Sequence, residues 1–200
     1  MQAFTSVRGP AAALLRPNID TDVIVRIERL TSVARDALGP CAFEALRFRA
    51  DGSEDRDFIL NRPPFREAPI LLCGPNFGCG SSREGAVWAL LARGIRCVIG
   101  ESFGDIFFAN CFQSGMLALR LPGEVLARIA QLTADGSALS VDLLAQRIVL
   151  PGGDTVAFEV DPMRREALLE GLDDITRTLK QVNTIEAWQA RDRQARPWVW

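Results

Sequence analysis

The chain has 200 residues, 48% of them hydrophobic and 24% charged, and a net charge of -2. That is an ordinary balance for a globular protein with a buried core, and it carries no basic footprint for nucleic acid or an anionic membrane. There is no histidine, so no Ser-His-Asp triad, Cys-His pair or histidine-bound metal can be built within it. The five cysteines, Cys41, Cys73, Cys79, Cys97 and Cys111, include no C-x-x-C pair, which argues against an iron–sulfur or zinc site made by this chain alone.

In chain order, no charged-then-apolar leader opens the sequence, and no apolar run approaches the ~20 residues needed to span a bilayer. The expected location is the cytoplasm, where free cysteines persist. The first third reads as loop-rich. Pro17-Asn18-Ile19-Asp20-Thr21-Asp22 is a turn dense in short polar side chains, leading into a strand-like Val23-Ile24-Val25. Residues 31–56 are irregular, broken at Gly39-Pro40 and Asp51-Gly52, and predict a long surface segment able to contact something.

The middle alternates. Ile70-Leu71-Leu72-Cys73 predicts a buried strand, 86–93 a helix closed by Gly94, and 95–99 a second strand. A helix through Ile106-Phe107-Phe108 and a strand over 116–121 follow. This pattern predicts an α/β fold with a parallel sheet and right-handed crossovers, whose ligands sit beyond the carboxyl ends of the strands. After Pro122-Gly123, Val125, Leu126, Ile129 and Leu132 form one stripe of an amphipathic helix. Residues 147–150 and 155–160 predict a hairpin, and Asp161-Pro162 opens a helix ended by Gly171. The tail, 184–200, reads as a turn or two of helix with Trp198 and Trp200, either a frayed end or a contact with another chain. Length and composition favour one domain over 1–200.

The most informative stretch is Asn76-Phe77-Gly78-Cys79-Gly80-Ser81-Ser82-Arg83-Glu84. It lies between a strand and a helix start, where unpaired first-turn N–H groups and the helix dipole favour an anion. Two hydroxyls and a guanidinium there can dock a carboxylate. Alternatively, the glycines only turn the chain and a serine only caps the helix. A dinucleotide fingerprint would need glycine where Arg83 stands, and neither the P-loop lysine nor a G-x-S-x-G elbow is present. Cys73, Cys97 and Cys111 sit in or beside apolar runs as core thiols. Cys79 lies between two glycines, but no histidine is available to activate it.

Four motifs in register, Asn18-Ile-Asp-Thr-Asp22, Asn76 to Glu84, Ser102-Phe-Gly-Asp-Ile-Phe107 and Gly171-Leu-Asp-Asp174, resemble the small-subunit family of 3-isopropylmalate dehydratase along almost the whole chain. The resemblance implies an aconitase-type swivelling β/β/α domain, with a mostly parallel central sheet flanked by helices and a C-terminal hairpin and helices. It also implies a separate large subunit carrying a [4Fe-4S] cluster and a small dicarboxylate substrate. In that family the cluster's open iron takes the substrate hydroxyl while a serine removes a proton from the neighbouring carbon. Water leaves and returns with hydroxyl and hydrogen exchanged, which interconverts 2- and 3-isopropylmalate in leucine biosynthesis.

Position by position, the resemblance assigns the base to Ser81 and the carboxylate clamp to Arg83, with Ser82 assisting. A serine base needs its ionised form favoured by the helix N-terminus and positive charge, and Arg83 offers both that charge and a planar fork. Asp22 matches a Thr-Asp motif near the site, or simply holds turn N–H groups. Arg35 falls loosely where relatives keep another substrate arginine. Two departures stand out: Gly85 replaces the family's usual histidine, and Ile24-Val25-Arg26-Ile27 stands for Ile-Ile-Pro-Lys. They leave open another substituted malate or homoaconitate as substrate, a paralogue that assembles without catalysing, and a stand-alone carboxylate-binding module.

Overall fold

The computed structural model describes residues 1–200. The chain opens with two four-residue strands, β1 (Ser6–Gly9) and β2 (Ala11–Leu14), parted by Pro10, and they enter different sheets. Proline has no N–H to give a ladder and suits a point where a strand changes sheet. β2 leads a parallel sheet of order β2-β3-β4-β5, with β3 Ile70–Cys73, β4 Cys97–Gly100 and β5 Leu117–Arg120. In register, Ala11 faces Ile70, Ile70 faces Cys97, and Cys97 faces Leu117. Every side chain of β3 and β4 is buried, as expected where helices cover both faces of a parallel sheet.

Those helices are the crossovers. Between β2 and β3 lie the short α1 (Thr21–Ile24), α2 (Ile27–Ser32) and α3 (Glu44–Arg47). Helix α4 (Glu84–Ala92) joins β3 to β4, α5 (Asp105–Ser114) joins β4 to β5, and α6 (Gly123–Leu132) follows β5. α6 buries Leu126 and Ile129 of its expected stripe but leaves Leu132 exposed. The second sheet is antiparallel, order β1-β6-β7-β8, with β6 Leu139–Asp142 and the expected hairpin of β7 Arg147–Val149 and β8 Thr155–Ala157. Val141, facing Val7 and Ile148, carries this sheet into the same cluster of 43 buried residues that holds β3 and β4. Helices α7 (Pro162–Glu170), α8 (Asp174–Leu179) and α9 (Val182–Ala195) finish the chain. The α/β class and the parallel sheet read from the sequence are those observed, and no helix is long and apolar enough to cross a membrane.

Three local expectations are corrected. Val23-Ile24-Val25 is not a strand: the Asp20 carboxylate accepts the Val23 N–H at 2.7 Å and caps the helical turn α1. That cap outweighs the β preference of three branched side chains. The tail is helical for 14 residues rather than a turn or two, with no buried side chain in α9. Residues 31–56 are not a loose surface segment, for they bury Leu38, Ala42, Phe43 and Arg47.

One buried polar pair holds that segment. The Arg47 guanidinium, 6% exposed, donates to Asn61 Oδ1 at 3.0 Å and to the Pro40 carbonyl at 2.9 Å. Asn61 Nδ2 donates in turn to the carbonyls of Arg47 and Asp55 at 2.6 and 2.9 Å. Burial pushes the Arg47 guanidinium below its ordinary pKa, which marks a charge dependent on these partners. Asn61→Ala is expected to lower stability by about 3 kcal/mol through the loss of bonds to a desolvated charge. In urea the midpoint should fall with the slope unchanged; an unchanged midpoint would show that solvent replaces the amide.

Candidate active site

Three loops leave the carboxyl ends of β2, β3 and β4 and are sewn together by backbone. Asn18 N–H donates to the Pro75 carbonyl at 2.9 Å, Gly78 N–H to Ile19 at 2.7 Å, and Thr21 N–H to Cys79 at 3.0 Å. On the other side Phe77 N–H donates to the Ser102 carbonyl at 3.1 Å, and Gly104 N–H to Phe77 at 2.9 Å. Asn76 adds its N–H to Ser102 Oγ and its Nδ2 to Asn18 Oδ1, each at 2.8 Å. The first, second and third motifs of the sequence are therefore one assembly.

Phe77 anchors it. The ring is fully buried, with Phe107, Phe43 and Phe103 centroids at 5.5, 6.4 and 6.4 Å. Gly78 follows at φ +71°, where a Cβ would lie 2.2 Å from Phe107 Cγ. Glycine is thus required twice, for a left-handed backbone and for contact with an aromatic ring.

Beyond Gly80 the chain surfaces. Ser81 and Ser82 are exposed, and the Ser81 carbonyl is pinned by the buried Thr21 hydroxyl at 3.0 Å. Neither serine caps α4: the capping position is Arg83, extended at φ -121° and ψ 104°, with no side-chain bond to the first turn. The capping alternative for the serines is thereby corrected. Arg83 instead pairs with Asp22, its Nη1 donating to Oδ1. The Arg83 side chain is 20% exposed while that of Asp22 is 52% exposed. A pair this open adds little stability, and its effect is to fix the guanidinium while the remaining N–H groups stay available. Asp22 is therefore bound to Arg83, and the turn N–H is held by Asp20 instead.

Arg35 lies elsewhere. Its guanidinium stacks on Trp88 at 4.5 Å from the ring centroid, and Trp88 Nε1 donates to Glu84 at 3.0 Å along α4. It forms no hydrogen bond or ion pair with the 79–83 turn. Two residues that sequence reasoning overlooked do belong here. Thr21 is one. Leu30 is the other, because a Cβ on the buried Gly85 would lie 2.4 Å from Leu30 Cδ2, so α2 packs directly on the first turn of α4. Nothing in the sequence pairs positions 30 and 85.

The cysteines do not fit an iron–sulfur cluster. Cys73, Cys97 and Cys111 are fully buried, and burial drives each thiol above its ordinary pKa. No three Cys, Asp or Glu side chains converge on a point that could hold a metal.

Residues 1–124 match the family model of the aconitase C-terminal domain, and 127–162 match the LeuD_N model. The small subunit of 3-isopropylmalate dehydratase from Rhodospirillum centenum is 49% identical, over 100% of this chain and 99% of that protein. The chain belongs to the 3-isopropylmalate dehydratase small-subunit family. Another small subunit, from Gluconacetobacter diazotrophicus, is 49% identical over 99% of this chain and 97% of its own length. The crystal structure of a 3-isopropylmalate dehydratase from Methanocaldococcus jannaschii superposes with a TM-score of 0.67 at 26% identity, covering 92% of this chain and 99% of that one. The fold is accordingly the aconitase-type swivelling domain, and membership makes this chain a dehydratase subunit of the lyase class.

Replacing Gly78 is expected to undo the turn. Gly78→Ala forces a left-handed residue and overpacks Phe107, costs that together reach about 3 kcal/mol. For a chain of this size the melting temperature should fall by roughly 6–12 °C, and a melt within a degree of the parent would refute the close approach.

Proposed function

We propose that this chain is the small subunit of the hydro-lyase that interconverts 2-isopropylmalate and 3-isopropylmalate by dehydration and rehydration in leucine biosynthesis. The observation that carries the reading is the Arg83 fork, largely buried and fixed on one prong by Asp22, presented two residues from the exposed Ser81 at the carboxyl ends of the parallel strands. Arg83 grips one substrate carboxylate with its remaining N–H groups. Ser81 takes the proton from the carbon beside the departing hydroxyl and gives it back on rehydration. Its alkoxide is favoured by the positive end of α4 and by the charge of Arg83. Ser82 supplies a further hydroxyl to the substrate, and Arg35, stacked on Trp88, is not assigned to it.

Dehydration also needs an acid for the leaving hydroxyl. This chain has no histidine to serve, and its thiols do not fit a cluster. We assign that half to a large subunit bearing the [4Fe-4S] cluster, against which residues 1–200 act as one unit in the cytoplasm. Leu30 of α2 packs on Gly85 in the first turn of α4, and we take this aliphatic group beside the turn as support for a substrate with an alkyl branch over homoaconitate, which carries an extra carboxylate.

The test is the complex reconstituted with its large subunit and assayed on 3-isopropylmalate through the unsaturated intermediate. Arg83→Lys should raise KM roughly a hundredfold, since an ammonium cannot reproduce the fork. Unchanged kinetics would remove the clamp. Ser81→Ala should lower kcat about a thousandfold with the fold and KM preserved, and near-normal turnover would remove Ser81 as base. Tight binding of the diacid by a free, iron-independent chain would favour the binding module instead.

A further inference from the structure

Away from the Ser81–Arg83 turn, the segment 49–66 folds around a cleft of about 920 Å³ whose lining is polar apart from Pro63. Arg49, Arg56, Arg62 and Arg66 line it, and Glu54 is its single carboxylate. Both Glu54 oxygens are taken by Arg66, at 2.8 and 2.6 Å. Arg49 leans on Asp55 at 3.3 Å. Asp51 is turned onto the Ser53 N–H and hydroxyl at 2.9 and 2.6 Å, and neither it nor Asp57 lines the cleft. Arg56 and Arg62 are left with no ion-pair or hydrogen-bond partner.

The wall behind is also cationic. Arg47 is buried with its nearest carboxylate, Glu54, at 3.9 Å. Arg93 donates to the carbonyls of Leu60 and Arg66 at 2.8 and 3.3 Å, and its Nε is buried without a partner. Burial first, and then the neighbouring Arg47 and Arg66, hold the Arg93 guanidinium down to about 10. Four guanidiniums and one carboxylate thus line the cleft, with Arg47 and Arg93 behind it, in a chain whose net charge is -2. Like charges gathered in one cleft repel, and an anion entering it relieves that repulsion.

We infer that this cleft binds a small molecule bearing a diphosphate group, gripped by the unpaired forks of Arg56 and Arg62. Two planar forks suit the several oxygens of adjoining phosphoryl groups, and a lining whose one apolar side chain is Pro63 gives little purchase to a ligand recognised by its hydrocarbon body. Nucleic acid is disfavoured, because the excess charge is confined to one cleft rather than spread along a face.

The experiment is equilibrium dialysis of the full chain against radiolabelled inorganic pyrophosphate at constant ionic strength. Saturable binding at one site per chain is expected. The double variant Arg56→Gln/Arg62→Gln should weaken it at least about tenfold, while Arg83→Lys leaves it unchanged. Both substituted side chains are exposed and unpaired, so the far-ultraviolet spectrum and melt should match the parent. Absence of saturable binding at millimolar pyrophosphate overturns the inference, as does equal binding by the double variant. A double variant that binds pyrophosphate normally but no longer assembles with the large subunit also overturns it, and assigns the cleft to an acidic protein surface.

Discussion

The burial of Phe77 among Phe43, Phe103 and Phe107 fixes where the 75–83 turn can lie. A glycine-rich loop ordinarily keeps much backbone freedom, and fixing it costs more entropy than for other residues. Here one buried aromatic ring and the backbone bonds with Ile19, Thr21 and Ser102 offset that cost. Phe77 reaches the core only because Gly78 lets the ring of Phe107 close over the backbone. The exposed residues Ser81 and Ser82 thus stand on a rigid base although nothing packs on their side chains.

How much of this was legible in sequence depends on the range of the interaction. β3, β4 and β5 announced themselves because strands buried on both faces read as apolar runs. β2 did not: Ala11-Ala12-Ala13-Leu14 has no strand preference, and its conformation is set by pairing with Ile70 to Cys73, some sixty residues away. β1 and β6 escaped for a similar reason, being strands of four residues each that find one another across the length of the chain. At the site, the glycines and the Ser-Ser-Arg run were visible locally. The Asp22–Arg83 pair and the contact of Leu30 with Gly85 exist only once α1, α2 and α4 meet. Arg35 sits on Trp88 rather than at the 79–83 turn, a contact between distant positions that no local pattern announces.

The contact of Leu30 with Gly85 also bears on the loss of a family histidine. Glycine inside a helix costs about 1 kcal/mol relative to alanine, so its retention within α4 calls for a packing reason. Leu30 supplies one, since its methyls occupy the space a side chain at position 85 would need. With Leu30 in that space, position 85 beside the helix mouth has an aliphatic neighbour and no room for an imidazole. This changes the polarity of the surroundings while leaving Ser81, Arg83 and their supports in place.

What the isolated chain lacks is dryness. Ser81 is open to solvent and its hydroxyl makes no hydrogen bond within the chain, so in water the α4 dipole and Arg83 act on it through a high dielectric. At a few ångströms a unit charge is worth about 1 kcal/mol in water and several times more once water is excluded. A serine whose ordinary state is the neutral alcohol gains a usable population of alkoxide only in the second case. On the role proposed for Ser81, the same geometry is nearly inert when exposed and reactive once a second protein surface excludes water. Under that proposal catalytic competence belongs to the docked assembly, and the division of labour follows from electrostatics as much as from the missing metal ligands.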